Sequence, residues 1–110
     1  MKIRLCQPSD LADLHRINEE NVPAVGTVTV AELDGLVAGS NATFVAEDNG
    51  RIGGFLLGLV EGADYGSPNY TWLSERYPSF AYVDRIAVDA AFQGSGVGAR
   101  LYEALEVHVA

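Results

Sequence analysis

The apolar positions change period along the chain, and each change marks an element. Lys2 to Cys6 alternates apolar and polar residues, which predicts a strand. After Pro8 and Ser9, Leu11, Leu14 and Ile17 recur at helical spacing and predict a first helix through about Asn18. Asn21 to Val28 holds Pro23 and Gly26 and reads as a loop. Thr29 with Glu32 forms a capping box, each side chain accepting from an amide that the helix start leaves free. It opens a second helix that stops near Gly39.

Ala42 to Asp48 and Arg51 to Glu61 flank Asn49 and Gly50, a pair suited to a tight turn with positive φ at both positions, so the two arms are predicted to be antiparallel neighbours. In the second arm FLLGLV is apolar on both alternations, as expected of a strand covered on both faces by helices. Gly53, Gly54 and Gly58 mark a bulge or a close backbone approach there. Gly62 to Ser79 reads as a long irregular connector, functional rather than disordered because it carries Tyr65, Tyr70, Trp72 and Tyr77. Phe80 to Val88 predicts the next strand. Gly96 to about Val109 predicts a helix with Val97, Leu101, Ala104 and Leu105 on one apolar stripe. The predicted order is β-α-α-β-β-β-α, a mixed α/β (α+β) domain over residues 1–110 with a mostly antiparallel sheet between helices.

Composition narrows the class. A chain of 110 residues with 48% apolar content is one globular domain able to bury roughly two-thirds of its unfolded surface. No apolar run is long enough to span a membrane and no export signal precedes Asp10, so a cytoplasmic protein is expected. A net charge of -8 with only seven scattered Lys and Arg residues argues against nucleic acid as a partner. Cys6 is the single cysteine, with the apolar Ile3 and Leu5 shortly before it, and reads as a packed thiol. His15 and His108 lie on helices without the spacing of a metal site, and no metal is expected.

Chemistry concentrates where the last strand meets the last helix, in VDRIAVDAAFQGSGVGARLYEAL. A helix start leaves its first N–H groups unpaired, with about half a positive charge from the aligned peptides. Gly94, Gly96 and Gly98 let an anion approach those amides, and Ser95 offers a hydroxyl. A P-loop needs Lys and then Ser or Thr after its last glycine, and Ala99 and Arg100 stand there instead. Gly94, Gly96 and Ala99 satisfy GxGxxA. A dinucleotide fold, however, needs a following strand with an acidic residue about 20 positions on, and the sequence ends at Ala110.

Gln93, Gly94, Ser95, Gly96, Val97 and Gly98 resemble the (Arg or Gln)xxGx(Gly or Ala) signature of the GCN5-related N-acetyltransferases, and the order of elements is similar over nearly the whole chain. The resemblance implies an acetyl-CoA-dependent N-acetyltransferase that passes the acetyl group directly to a primary amine of a small molecule or peptide. Ile86 and Val88 would lend backbone groups to the pantetheine arm, and Gln93 to Gly98 would hold the pyrophosphate. Asp84, on the predicted strand and by the two-residue period on the face of Ile86 and Val88, is the candidate base for the acceptor ammonium. Its alternative role is an ion pair with Arg85. Tyr65, Asn69, Tyr70 and Trp72 are candidate walls of the acceptor pocket, or a small core of the connector itself.

Family members continue with a further strand, helix and closing strands, and often take their general acid from that part. No general acid is assigned here. The free side of Phe80 to Val88 is expected to recruit a second copy, giving a homo-oligomer such as a dimer. A non-catalytic module that binds CoA or a protein partner without turnover is the other reading of the same corner.

Overall fold

The computed structural model describes residues 1–63, 65 and 67–109. Strands β1 (Lys2–Leu5), β2 (Phe44–Asp48), β3 (Arg51–Val60) and β4 (Ala81–Val88) form one antiparallel sheet in chain order. Helices α1 (Leu11–Glu20) and α2 (Val30–Gly39) fall between β1 and β2, α3 (Pro68–Arg76) between β3 and β4, and α4 (Val97–Val109) after β4.

Local sequence accounts for most of these boundaries. Asn49 and Gly50 take φ of 51° and 81° in the hairpin that pairs Asp48 with Arg51. At the start of α2, Thr29 donates its N–H to Glu32 Oε1 at 2.9 Å, and Glu32 N donates to Thr29 Oγ1 at 3.1 Å. β1 is fastened by Arg4, which donates to both carboxylate oxygens of Asp10 and, at 2.7 Å, to Glu47 of β2.

β3 is the centre of the molecule. Phe55, Leu57 and Leu59 pack with Leu14 and Ile17 of α1 and Leu33 of α2 on one face. Leu56 packs on the other face with Val97, Leu101 and Leu105 of α4. Each of these fully buried side chains contributes about 1.5–3 kcal/mol, which fixes the register of the strand against both helical layers. The glycines of β3 permit close approach. A Cβ on Gly54 would stand 3.0 Å from Val97 Cγ1, and one on Gly58 would stand 2.4 Å from the carbonyl oxygen of Ala42.

The connector differs from its prediction. PNYTWLSER forms the nine-residue helix α3, so the order gains a helix and reads β-α-α-β-β-α-β-α. Ser67 in extended conformation followed by Pro68 in the first helical turn is a start signal, and Tyr70 and Leu73, three apart, supply the packed face. The high share of polar and aromatic residues hid that short stripe. Asp64 and Gly66 of the predicted connector, and the terminal Ala110, lie outside the described residues.

Candidate functional site

The free edge of β4 is where backbone chemistry is available. Asp89 donates its N–H to the Gly53 carbonyl at 2.9 Å, just beyond the last ladder pair. Because an antiparallel ladder turns alternate residues toward the partner strand, Ala87 and Arg85 point their backbone groups at β3, and Ile86 and Val88 point theirs outward. The outward carbonyl of Val88 accepts from Asn21 Nδ2 at 3.1 Å and from Gln93 Nε2 at 3.4 Å. Among the described residues, both backbone groups of Ile86 and the N–H of Val88 have no partner.

A bulge interrupts this strand. Leu57 faces Arg85 while the next residue, Gly58, faces Val83, so Asp84 is the extra residue. The bulge corrects the expectation that Asp84 shares a face with Ile86 and Val88. Those two pack with the α4 layer, whereas Asp84 accepts from the hydroxyl of Tyr65, which packs with the α1 layer. Its second oxygen accepts from Arg85 Nε at 2.8 Å. Arg85 in turn donates to Asn18 Oδ1 at 3.0 Å and to the Gly26 carbonyl at 3.1 Å, tying the bulge to α1 and to the loop after it. Burial, together with the neighbouring Asp84 carboxylate, raises the pKa of Tyr65 well above the ordinary phenol value and keeps its proton in place.

Beyond β4 the chain turns through the 3-10 segment Ala90–Phe92 and enters α4 past Gly94 and Gly96, with φ of 82° and 81°. Only glycine adopts that backbone without strain. Apart from the adjoining residues and the backbone of α4 itself, nothing lies within 4 Å of where a Cβ would stand at Gly94, Gly96 or Gly98, so the corner is open to an incoming group. Ser95 N donates to Phe92 O at 3.3 Å and Arg100 N to Gly96 O at 3.2 Å. Among the described residues the N–H groups of Gly96, Val97, Gly98 and Ala99 between them have no acceptor. They stand at the positive end of the α4 dipole, where unpaired amides favour an anion. Two side chains of the corner are used differently from expectation. The Ser95 hydroxyl donates to the Phe92 carbonyl, and Gln93 turns back to Val88.

A groove of about 380 Å³ runs along the β4 edge, lined by Ala24 and Gly26 on one side, Tyr102 of α4 on the other, and Val83, Asp84 and Ile86 along its floor. Another hollow of similar volume, lined by Ile3, Phe44, Arg100, Ala104 and His108, lies between the β1–β2 side of the sheet and α4, from the first turn of that helix to its last.

Of the four candidate acceptor residues only Tyr65 and Tyr70 come together, edge to face with ring centres 5.6 Å apart. Tyr70 is buried in the core, accepting from Ala63 N at 2.9 Å and donating to the Val60 carbonyl at 2.6 Å. Trp72 stacks with the Arg76 guanidinium 4.3 Å from its ring centre, and Asn69 is exposed on the first turn of α3. Tyr65 alone of the four touches Asp84. Sequence reasoning also passed over Tyr102 and the buried Asp89, whose carboxylate accepts from Ala91 N and Arg16 Nη1, both at 2.8 Å, and from Arg51 Nη2 at 3.3 Å. Aspartate directly after a strand and two residues before a free amide was the signal for Asp89.

Comparison with known proteins places this geometry. Among curated proteins none matches the chain. Ard1 from Thermoplasma volcanium superposes with a TM-score of 0.73 at 22% identity, over 98% of this chain and 62% of that one. Naa20 from Chaetomium thermophilum, solved with a bisubstrate analogue, gives 0.69 at 28% identity, over 99% of this chain and 56% of that one. The GNAT-like decarboxylase GphF, in complex with isobutyryl-CoA, gives 0.73 at 25% identity, over 97% and 58%. The chain therefore spans about three-fifths of the length of these structures. The acetyltransferase (GNAT) family profile matches residues 9–110, and the chain belongs to that family.

Proposed function

We propose that this protein transfers an acetyl group from acetyl-CoA directly to a primary amine. The observation that carries the reading is the continuity of two sets of unsatisfied backbone groups. The amides of Gly96, Val97, Gly98 and Ala99 open the corner, and the N–H of Val88 with both backbone groups of Ile86 continues along the β4 edge. A diphosphate fits the first set without any basic side chain, which suits a chain of net charge -8. An amide-bearing pantetheine arm fits the second as an added strand would. Isobutyryl-CoA in the GNAT-like decarboxylase and the bisubstrate analogue in Naa20 support an acyl-CoA ligand and a second substrate beside it.

Acetyl-CoA supplies a thioester-activated acetyl carbon, so no nucleophilic side chain is needed. The chain's part is to hold, orient and move a proton. Asp84, in the floor of the groove, accepts the proton that an alkylammonium near pKa 10 must lose before it attacks. Tyr65 stays protonated and holds one Asp84 oxygen by its hydrogen bond, and Arg85 holds the other. The acceptor enters past Ala24 and Gly26. Cells hold acetyl-CoA in the cytoplasm, which is the proposed location.

Thiol release from acetyl-CoA with a panel of primary amines tests the reading, and release above the uncatalysed rate supports it. Saturable CoA binding without release would favour the second reading, a module that binds without turnover. The engagement of both Asp84 oxygens by Tyr65 and Arg85 is the observation on its side. The free edge of β4 also carries the proposed self-association, and light scattering that shows only monomer at micromolar concentration would remove it.

A further inference from the structure

Asp89 is 2% exposed and lies five residues before the first corner glycine, where β4 ends. Every polar atom it has is engaged. Its N–H donates to Gly53 O and its carbonyl accepts from Phe92 N at 2.8 Å. One carboxylate oxygen caps Ala91 N, and the other accepts from Arg16 of α1 and Arg51 of β3. Arg16 also pairs with Glu20 at 3.1 Å and Asp13 at 3.6 Å, and Arg51 lies 5.5 Å over the Phe92 ring. Phe92 is wedged against β3 where Gly53 has no side chain, since a Cβ there would stand 2.8 Å from Phe92 Cγ. The Phe92 carbonyl then accepts from both the N–H and the hydroxyl of Ser95, the residue directly before Gly96.

An unbroken series of bonds thus leads from Asp89 through Phe92 and Ser95 to the free amides. We infer that Asp89 is a positioning residue for the acyl-CoA diphosphate: clamped by Arg16 and Arg51, it fixes the path of Phe92 and Ser95 and so preorganises the amides of Gly96 to Ala99. Preorganised donors bind an anion without first giving up conformational freedom, so loosening the path weakens binding although no group that touches the ligand is changed. This inference rests on the acyl-CoA reading above.

The test is calorimetric titration of the full chain with CoA, together with NMR of the Gly94, Gly96 and Gly98 amides. Asp89→Asn can still accept from Ala91 N but gives up the charge held between the arginines. Asp10→Asn removes a charge of the same kind from the Arg4 cluster on the opposite sheet edge. Asp89→Asn is expected to weaken CoA binding by about ten-fold or more and to shift the three glycine amides before any ligand is added. Asp10→Asn is expected to do neither. Wild-type affinity in Asp89→Asn, or an equal loss in Asp10→Asn, would overturn the inference while leaving the acyl-CoA reading intact. Absence of CoA binding by the wild type would overturn both. Should Asp89→Asn not fold, Arg51→Gln, which removes one partner through an exposed side chain, is expected to show a smaller loss of affinity, and no loss would count against the inference.

Discussion

The hydroxyl of Tyr65 donates to Asp84 across the space between the β3–α3 connector and the bulge of β4. The pairing gives the proposed base a fixed direction and makes the connector part of the proposed site, although Tyr70 of the same connector packs in the core and Trp72 and Tyr77 are exposed. It follows that Asp84→Asn should lower turnover on an amine by about 100-fold, the scale of a lost general base, while changing CoA affinity by less than about two-fold. Steady-state thiol release beside CoA calorimetry separates the two effects. Equal activity would remove Asp84 from the chemistry.

Close backbone contact at Gly58 predicts a stability defect without a chemical one. Gly58→Ala would set a methyl group 2.4 Å from the Ala42 carbonyl oxygen, next to the bond from Ala42 N to Gly58 O at 3.0 Å. Backbone cannot move aside as a flexible side chain can, so a loss of about 1–3 kcal/mol is expected in urea unfolding. An unchanged midpoint would contradict the packing described.

Acid should destabilise the fold through two buried carboxylates. The bonds from Arg4 to Asp10, and those from Ala91 N and Arg16 to Asp89, hold both groups below the ordinary value of 3.8. A depressed folded-state pKa gives stability that is fully present above the unfolded value and is lost as pH falls through the folded one. Urea midpoints at pH 7, 5 and 3 should therefore drop mainly in the last interval. The doubly substituted Asp10→Asn, Asp89→Asn protein should start lower and drop less, and parallel curves would show that other groups carry the acid response.

Cys6 should be slow to react. Burial is the main cause that pushes its thiol up to about 11, with Asp10 adding to it and Arg4 opposing. At pH 8 almost none is thiolate, so reaction with an aromatic disulfide reagent should run at least about ten-fold slower than with a small free thiol. A rate equal to that of the free thiol would show that the side chain is not shielded.

Much of this architecture was legible in the residues. The Asn49–Gly50 turn, the Thr29–Glu32 box and the doubly apolar β3 each carry a local signal that the tertiary structure reinforces. The turn before α4 was legible because glycines between a strand and a helix suit the positive φ that Gly94 and Gly96 adopt. Gly58 signalled a bulge or a close approach in β3, but not that the extra residue is Asp84 of the facing strand, which leaves no mark in a two-residue period and yet moves a side chain to the opposite face. Nor was the role of Tyr70 legible: its hydroxyl bonds lie with the backbone of Val60 and Ala63, outside its own helix. Asp89 was missed for a similar reason. Its arginine partners are 73 and 38 residues away in sequence and converge only when α1, β3 and β4 assemble.

Titration of the folded chain with CoA, run beside Gly96→Asp, probes the amide receptor without reference to any acceptor. The wild type should give a saturable heat and move the amide signals of Gly96, Val97, Gly98 and Ala99. The carboxylate of Gly96→Asp, placed among those amides, should abolish both responses. A wild-type chain that stays silent, or a variant that binds as tightly, would contradict the account.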